Sequence, residues 1–121
     1  MSDRGPTEGA RRGLAGRVLG DRYRVERMVS AGSRTLIADA EDTAVGRAVT
    51  IKLVRPEIAE SPEFRRKFEA TMRAMSKLSH PNIAAVHDWG EEEIGRRTTV
   101  YAVVERLTGG SLRDVFDLGR R

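Results

Sequence analysis

Apolar and polar residues alternate along several short stretches of this chain, and one stretch between them keeps a helical spacing instead. From Tyr23 to Met28, Tyr23, Val25 and Arg27 alternate with Arg24, Glu26 and Met28, which is a strand period. Ala31-Gly32-Ser33 supplies turn residues and Thr35 to Ala40 reads as a second strand, so the pair predicts a hairpin. Asp42 to Gly46 is another turn. Ala48-Val49-Thr50-Ile51-Lys52-Leu53-Val54 follows it as the strongest strand signal in the chain. The helix is marked by Ser61 as a cap, Pro62 at its first position and Glu63 in its first turn. Phe64, Phe68, Thr71, Met75 and Leu78 then recur at spacings of four and three, forming one face. Its end is expected near Leu78, because Pro81 disfavours helical geometry at His80.

Beyond the helix, Ile83 to Trp89 reads as a strand, Glu91 to Arg97 as a polar turn and Thr98 to Glu105 as a strand. Gly109-Gly110 breaks the pattern, and Ser111 can cap a short helix containing Leu112, Val115 and Phe116. Residues 1–18 are rich in Gly and Arg without apolar periodicity and read as a flexible tail, with order beginning near Asp21. Three strands, a helix and two more strands predict an α+β fold with an antiparallel sheet.

Composition narrows the function. The chain has 121 residues, enough for one small domain, and 39% of them are hydrophobic. No apolar run approaches the roughly 18 residues of a membrane helix, and the N-terminus does not read as a secretory signal. Cysteine is absent, which excludes disulfides and thiolate sites and fits a cytoplasmic setting. The net charge of +4 raises the question of nucleic acid. Only Lys52, Lys67 and Lys77 are lysines, and the arginines are spread along the chain among acids, in clusters no larger than pairs such as Arg65-Arg66 and Arg96-Arg97. A phosphate-binding face needs a denser stripe, and no aromatic stacking surface accompanies the arginines. A small basic nucleic-acid binder is therefore the weakest of the readings. His80 and His87 have no acid or cysteine at ligand spacing and read as structural, so no metal site is expected.

The same stretches, in this order, resemble the small lobe of bacterial eukaryotic-like Ser/Thr protein kinases. Asp21 to Arg27 is similar to that family's first strand, and Val29 to Ile37 lies where its Gly-rich loop belongs. Val49-Thr50-Ile51-Lys52 resembles the V-A-I-K strand, and Leu78-Ser79-His80-Pro81-Asn82-Ile83 the segment after the αC helix. Val86 to Gly90 is similar to the next strand, Val103-Val104-Glu105-Arg106-Leu107 to the hinge, and Gly109 to Asp114 to the start of αD. The resemblance implies a kinase-like lobe over 19–107, with a five-stranded antiparallel sheet and one αC-type helix. Residues 108–121 would be the start of a truncated αD-type helix, with the C-terminal lobe absent.

That family binds ATP, and the resemblance assigns parts of the site to residues here. Val29, Ile37 and Thr50 would roof the adenine, and Lys52 would reach the α- and β-phosphates. Val104 takes the gatekeeper position, and Glu105 and Leu107 would read the base with backbone C=O and N–H. Ser30, Ala31, Gly32, Ser33, Arg34, Thr35 and Leu36 complete the phosphate loop. Three positions depart from the pattern. The loop's glycines fall on Ser30, Gly32 and Thr35, so one of three remains. The αC glutamate that pairs with the lysine falls on Thr71, leaving Lys52 to stay solvated or find another acid. Thr50 stands where alanine is usual and would crowd the adenine slot. No H-R-D-x-x-x-x-N loop or D-F-G segment is present, so no catalytic residue is assigned here and the Mg²⁺ ligands would lie in the missing lobe.

The function expected from this resemblance is the ATP-binding small lobe of a kinase that phosphorylates protein Ser/Thr, not catalytic as this chain alone. The alternative is a pseudokinase module that binds a regulatory partner. In either case Val29, Ile37, Val104 and Leu107 would face water on an apolar cleft, which predicts that the isolated chain is marginally stable or self-associates.

Overall fold

The computed structural model describes residues 14–79, 81 and 83–107. The Gly109–Asp114 match and the helix expected after Ser111 lie outside the described residues, as does His80. Six strands form one antiparallel sheet: β1 (Val18–Leu19), β2 (Tyr23–Ala31), β3 (Thr35–Asp42), β4 (Arg47–Val54), β5 (Val86–Ile94) and β6 (Arg97–Glu105), ordered β1-β2-β3-β4-β6-β5. Two helices, α1 (Pro56–Ala59) and α2 (Pro62–Met75), connect β4 to β5.

The sixth strand is β1, which precedes Asp21, where the apolar pattern placed the onset of order. Leu14 and Leu19 are both buried in the main core, so this segment is held by burial that its own Gly- and Arg-rich neighbourhood does not signal. Gly20 and Asp21 both take left-handed φ (58° and 57°), and Arg22 N–H donates to the Leu19 carbonyl at 3.0 Å. Two successive left-handed residues twist a tight hairpin in the sense that its strands require.

The sheet has two working faces. One carries Leu36, Ala38 and Ala40 of β3, Val49, Ile51 and Leu53 of β4, and Tyr101 and Val103 of β6, packed with Leu19, Tyr23 and Val25. The sheet curls so far that its two edges meet. Tyr23 Oη donates to Asp88 Oδ2 at 2.7 Å, and Arg17 Nη2 donates to the Glu93 carbonyl at 2.6 Å. Strand β2 keeps its apolar side chains on this face through two register shifts, between Val25 and Arg27 and between Met28 and Ser30. A bulge adds one residue to a strand and so resets its side-chain phase. Met28 and Ala31 therefore pack against the core with Tyr23 and Val25, while Arg27 turns out to pair with Asp39 at 3.1 Å. Strict alternation had grouped Arg27 with Tyr23 and Val25.

Strand β5 runs to Ile94, so Glu91, Glu92 and Glu93 are strand and not turn; only Gly95 and Arg96 separate Ile94 from its partner Arg97. An edge strand with one ladder open to water tolerates a run of charges, which hides it from an apolar-periodicity reading. Its start, Val86, is three residues after Ile83.

Helix α2 begins as the sequence requires. Ser61 Oγ accepts from Phe64 N–H at 3.2 Å, with Pro62 next. It ends at Met75, before Leu78, which is 55% exposed. Phe64 and Phe68, stacked at 6.3 Å, pack with Ile58 on Val54, Ala59 and Val100. No residue of α2 is fully buried, and Thr71 is exposed and not inward-facing. Helix α1, which no periodic pattern marked, is capped from outside: Arg65 Nη1 donates to the carbonyls of Ala59 and Glu60 at 2.8 and 2.9 Å.

The end of β3, at the β3–β4 turn, carries a buried charge. Asp42 accepts from Arg22 Nε and Nη2 at 2.7 and 2.9 Å and from Ala44 N–H at 3.0 Å. The Arg22 guanidinium, ahead of the opposing effect of burial, holds the Asp42 carboxyl below its usual range. A carboxyl whose folded pKa is depressed contributes stability above its unfolded value and loses it as pH falls through the folded one. Urea midpoints of the chain are thus expected to drop as pH is lowered below about 4. In Asp42→Asn the midpoint is lower at neutral pH and falls less steeply over that window. Identical pH slopes for the two would contradict this role for Asp42.

Candidate nucleotide site

The second face is divided along β4. Side chains alternate on a strand, so Thr50, Lys52 and Val54 share this face. In the antiparallel register Thr50 stands opposite Val104, Lys52 opposite Ala102 on one side and Ile37 on the other. Toward the hinge end, Ile37, Val104 and Leu107 form a buried cluster with Val29, Ala84 and Val86. Toward the other end, Val54 and Val100 lie under α1 and α2. Lys52 sits between the two clusters, partly buried. Burial pushes its ammonium below the usual lysine value.

The hinge-end cluster does not face water as expected. Ile37, Val104 and Leu107 are 0%, 6% and 8% exposed. They pack on one another, with Leu107, two residues beyond β6, held to β4 by its N–H bond to Thr50 Oγ1. Val29, the fourth residue expected on that face, is half-buried, so the apolar cleft face inferred from the sequence is largely covered within the chain.

Of the loop residues, Ser30 lies opposite Ile37 in the register, and Val29 occupies the second bulge and packs on the cleft cluster. Ala31 and Leu36 turn to the other face and join the main core. Gly32, Ser33, Arg34 and Thr35 close the hairpin, with Gly32 N–H donating to the Thr35 carbonyl at 2.9 Å; Ser33 and Arg34 are exposed at the tip. Gly32 is not among the glycines with left-handed φ, and a Cβ there would meet nothing closer than the Thr35 carbonyl at 3.5 Å. The hairpin is tethered from β4. Arg55 Nε donates to the Gly32 carbonyl at 2.7 Å, and Arg55 N–H to the Arg34 carbonyl at 3.0 Å. Arg55 was not singled out in the sequence, since nothing local ties it to a loop more than twenty residues earlier.

The hinge is pinned on several sides. Glu105 N–H donates to the Ala85 carbonyl at 3.0 Å, and Glu105 Oε1 accepts from Ala85 N–H at 2.9 Å. Arg106 Nε and Nη2 donate to the carbonyls of Val49 and Ala40 at 3.0 and 2.9 Å. Leu107 N–H donates to Thr50 Oγ1 at 2.9 Å, with Thr50 only 1% exposed. Neither Arg106 nor this last bond was legible in the sequence, because their partners lie far away along the chain.

A separate open cleft of about 230 Å³ lies between α2 and the β5–β6 edge, lined by Arg65, Phe68, Glu69, Trp89, Gly90, Glu91 and Val100. Among the described residues, no helix is long and apolar enough to cross a membrane, and no three His, Cys, Asp or Glu side chains gather where they could hold a metal ion.

Comparison with known proteins agrees with this architecture. No family model matches the chain. It is 38% identical over 101 residues to the serine/threonine-protein kinase PknA of Mycobacterium tuberculosis, covering 83% of this chain and 23% of that protein. It is 36% identical over 98 residues to the probable serine/threonine-protein kinase PknB of Corynebacterium glutamicum, covering 81% of this chain and 15% of that one. With the serine/threonine-protein kinase PksC of Streptomyces coelicolor the identity is 34% over 111 residues, covering 91% and 20%. The crystal structure of the Mycobacterium tuberculosis PknI kinase domain superposes with a TM-score of 0.63 at 25% identity, covering 79% of this chain and 37% of that one. The chain thus spans about a quarter or less of the length of these curated relatives. With the sheet, the α2 helix and the hinge in the order those kinases require, the chain belongs to the bacterial Ser/Thr protein kinase family and carries the fold of its amino-terminal lobe.

Proposed function

We propose that this chain is the ATP-binding small lobe of a cytoplasmic Ser/Thr protein kinase, whose parent transfers the ATP γ-phosphate to protein Ser or Thr hydroxyls. The observation that carries the reading is the position of Lys52. It lies on the same strand face as Thr50, two residues and about 7 Å further along. The hinge-end cluster of Ile37, Val104 and Leu107 thus stands on its base side, and a cation stands where phosphates would follow. In this role Val29, Ile37 and Thr50 cover the adenine, the backbone of Glu105 and Leu107 reads its edge, and the 30–36 hairpin lies over the phosphates. The chain alone supplies no catalytic base; that group and the Mg²⁺ ligands belong to the parent's second lobe.

A regulatory, pseudokinase-like reading has one observation in its favour. The residue at the αC acid position is Thr71, and it is exposed on α2. One measurement separates the two. Under ATP with Mg²⁺, thermal unfolding of the chain should shift upward in proportion to ligand occupancy, and Lys52→Ala should abolish the shift. Absence of any Lys52-dependent shift at millimolar nucleotide overturns the ATP-binding reading and leaves the regulatory one.

A further inference from the structure

We infer that Thr50 gates the base-reading hinge by holding, with its own hydroxyl, the backbone donor that a nucleotide base would need. The inference rests on the ATP-binding reading for the identity of the ligand, and on the geometry for the gate. Leu107 N–H donates to Thr50 Oγ1 at 2.9 Å in a buried setting. Thr50 stands opposite Val104 in the register, on the strand face that carries the hinge-end cluster of Ile37, Val104 and Leu107. A backbone N–H provides one donor, and in this fold Leu107 has given it to a side chain.

The hinge has little freedom to offer a substitute. Arg106 fastens it to the carbonyls of Val49 and Ala40, and Glu105 is tied to Ala85 through both its N–H and its carboxylate. A base acceptor can therefore take the Leu107 proton only by breaking the bond to Thr50, and it then gains the difference between two hydrogen bonds instead of a whole one. Alanine at this position would leave the donor open. Threonine makes the site self-satisfied, so Thr50 sets how tightly, and for which base edge, the cleft closes on a nucleotide.

The test uses the full chain with Thr50→Val, which keeps the volume and removes the acceptor, and Thr50→Ser, which keeps the hydroxyl. Amide hydrogen exchange at Leu107 is read by NMR, with the Ile51 amide in the core strand as reference for global unfolding. Thr50→Val should accelerate Leu107 exchange by about 10-fold relative to Ile51, the scale of one lost hydrogen bond, while Thr50→Ser stays near the unaltered chain. Titration with ATP and Mg²⁺ should then give about 3–10-fold tighter binding in Thr50→Val than in Thr50→Ser. Unchanged exchange at Leu107 in Thr50→Val overturns the gate, and so does equal affinity of the two variants. Protected exchange with no nucleotide binding in any of the three proteins is a different failure: it removes the ATP-binding reading while the hinge bond stands.

Discussion

Gly20→Ala is expected to lower the unfolding free energy by about 2–5 kcal/mol, and the loss should shrink to about 1–2 kcal/mol in a Tyr101→Phe background. Two effects add at this glycine. Its φ of 58° lies in the left-handed region, where a side chain costs about 1–2 kcal/mol. A Cβ there would also come within 2.4 Å of the Tyr101 hydroxyl, which already lies 2.9 Å from where a Cβ on Gly90 would be. The ring is buried and flanked by the β1–β2 turn and strand β5, so it cannot swing away cheaply. Removing the hydroxyl leaves Tyr101 Cζ as the nearest atom at 3.7 Å, an ordinary contact, and only the backbone cost remains. Urea unfolding of the four proteins of this cycle measures the coupling directly. Additive losses would show that the close approach carries no energy.

Ile51→Ala should cost about 2–5 kcal/mol, because a buried isoleucine loses its transfer free energy and leaves a cavity. Ile51 is 1% exposed at the centre of the main core, flanked on its strand by Val49 and Leu53 and facing Ala38 and Val103 across the ladders. Domains of this size have about 5–15 kcal/mol of stability in total, so the loss is a large share and should appear as a fall in both the urea midpoint and the thermal midpoint. Val45→Ala is the matched control: Val45 is 63% exposed in the β3–β4 turn, and its truncation should move neither midpoint measurably. A loss below about 1 kcal/mol for Ile51→Ala would mean that the curled sheet repacks around the gap.

These two positions also mark how differently the chain's parts could be read. Ile51 lies in the stretch whose apolar, β-branched character already announced a central strand. Gly20 lies in a segment that looked like the end of a tail, and the importance of that glycine comes from Tyr101 on β6, the strand next to the opposite edge of the sheet. The start of α2 was fully legible, since Ser61, Pro62 and Glu63 act within one turn of backbone. Its inward face was half legible: Phe64 and Phe68 pack as the spacing requires, whereas Thr71 and Leu78 are exposed because the helix rests on the sheet through Phe64 and Phe68. The kinase-like order of strands, helix and hinge was readable from short motifs, and the relatives agree with it.

What the order of residues was enough to establish is local and periodic: the strands β2, β3, β4 and β6, the helix α2 and its cap, the turns at Ala31–Ser33 and Asp42–Gly46, and the face shared by Thr50 and Lys52. These follow from φ/ψ preference and side-chain alternation over a few neighbouring residues. The curl of the sheet belongs to another level. It puts Leu14 and Leu19 into the core, closes Tyr23 onto Asp88, buries Ile37, Val104 and Leu107 and brings Leu107 N–H to Thr50 Oγ1 across 57 positions of chain. Such contacts depend on bulges, edge pairing and the summed twist of six strands, and no window of neighbouring residues encodes them. Lys52 was therefore identifiable early, while the state of the cleft around it emerged only once the strands were assembled.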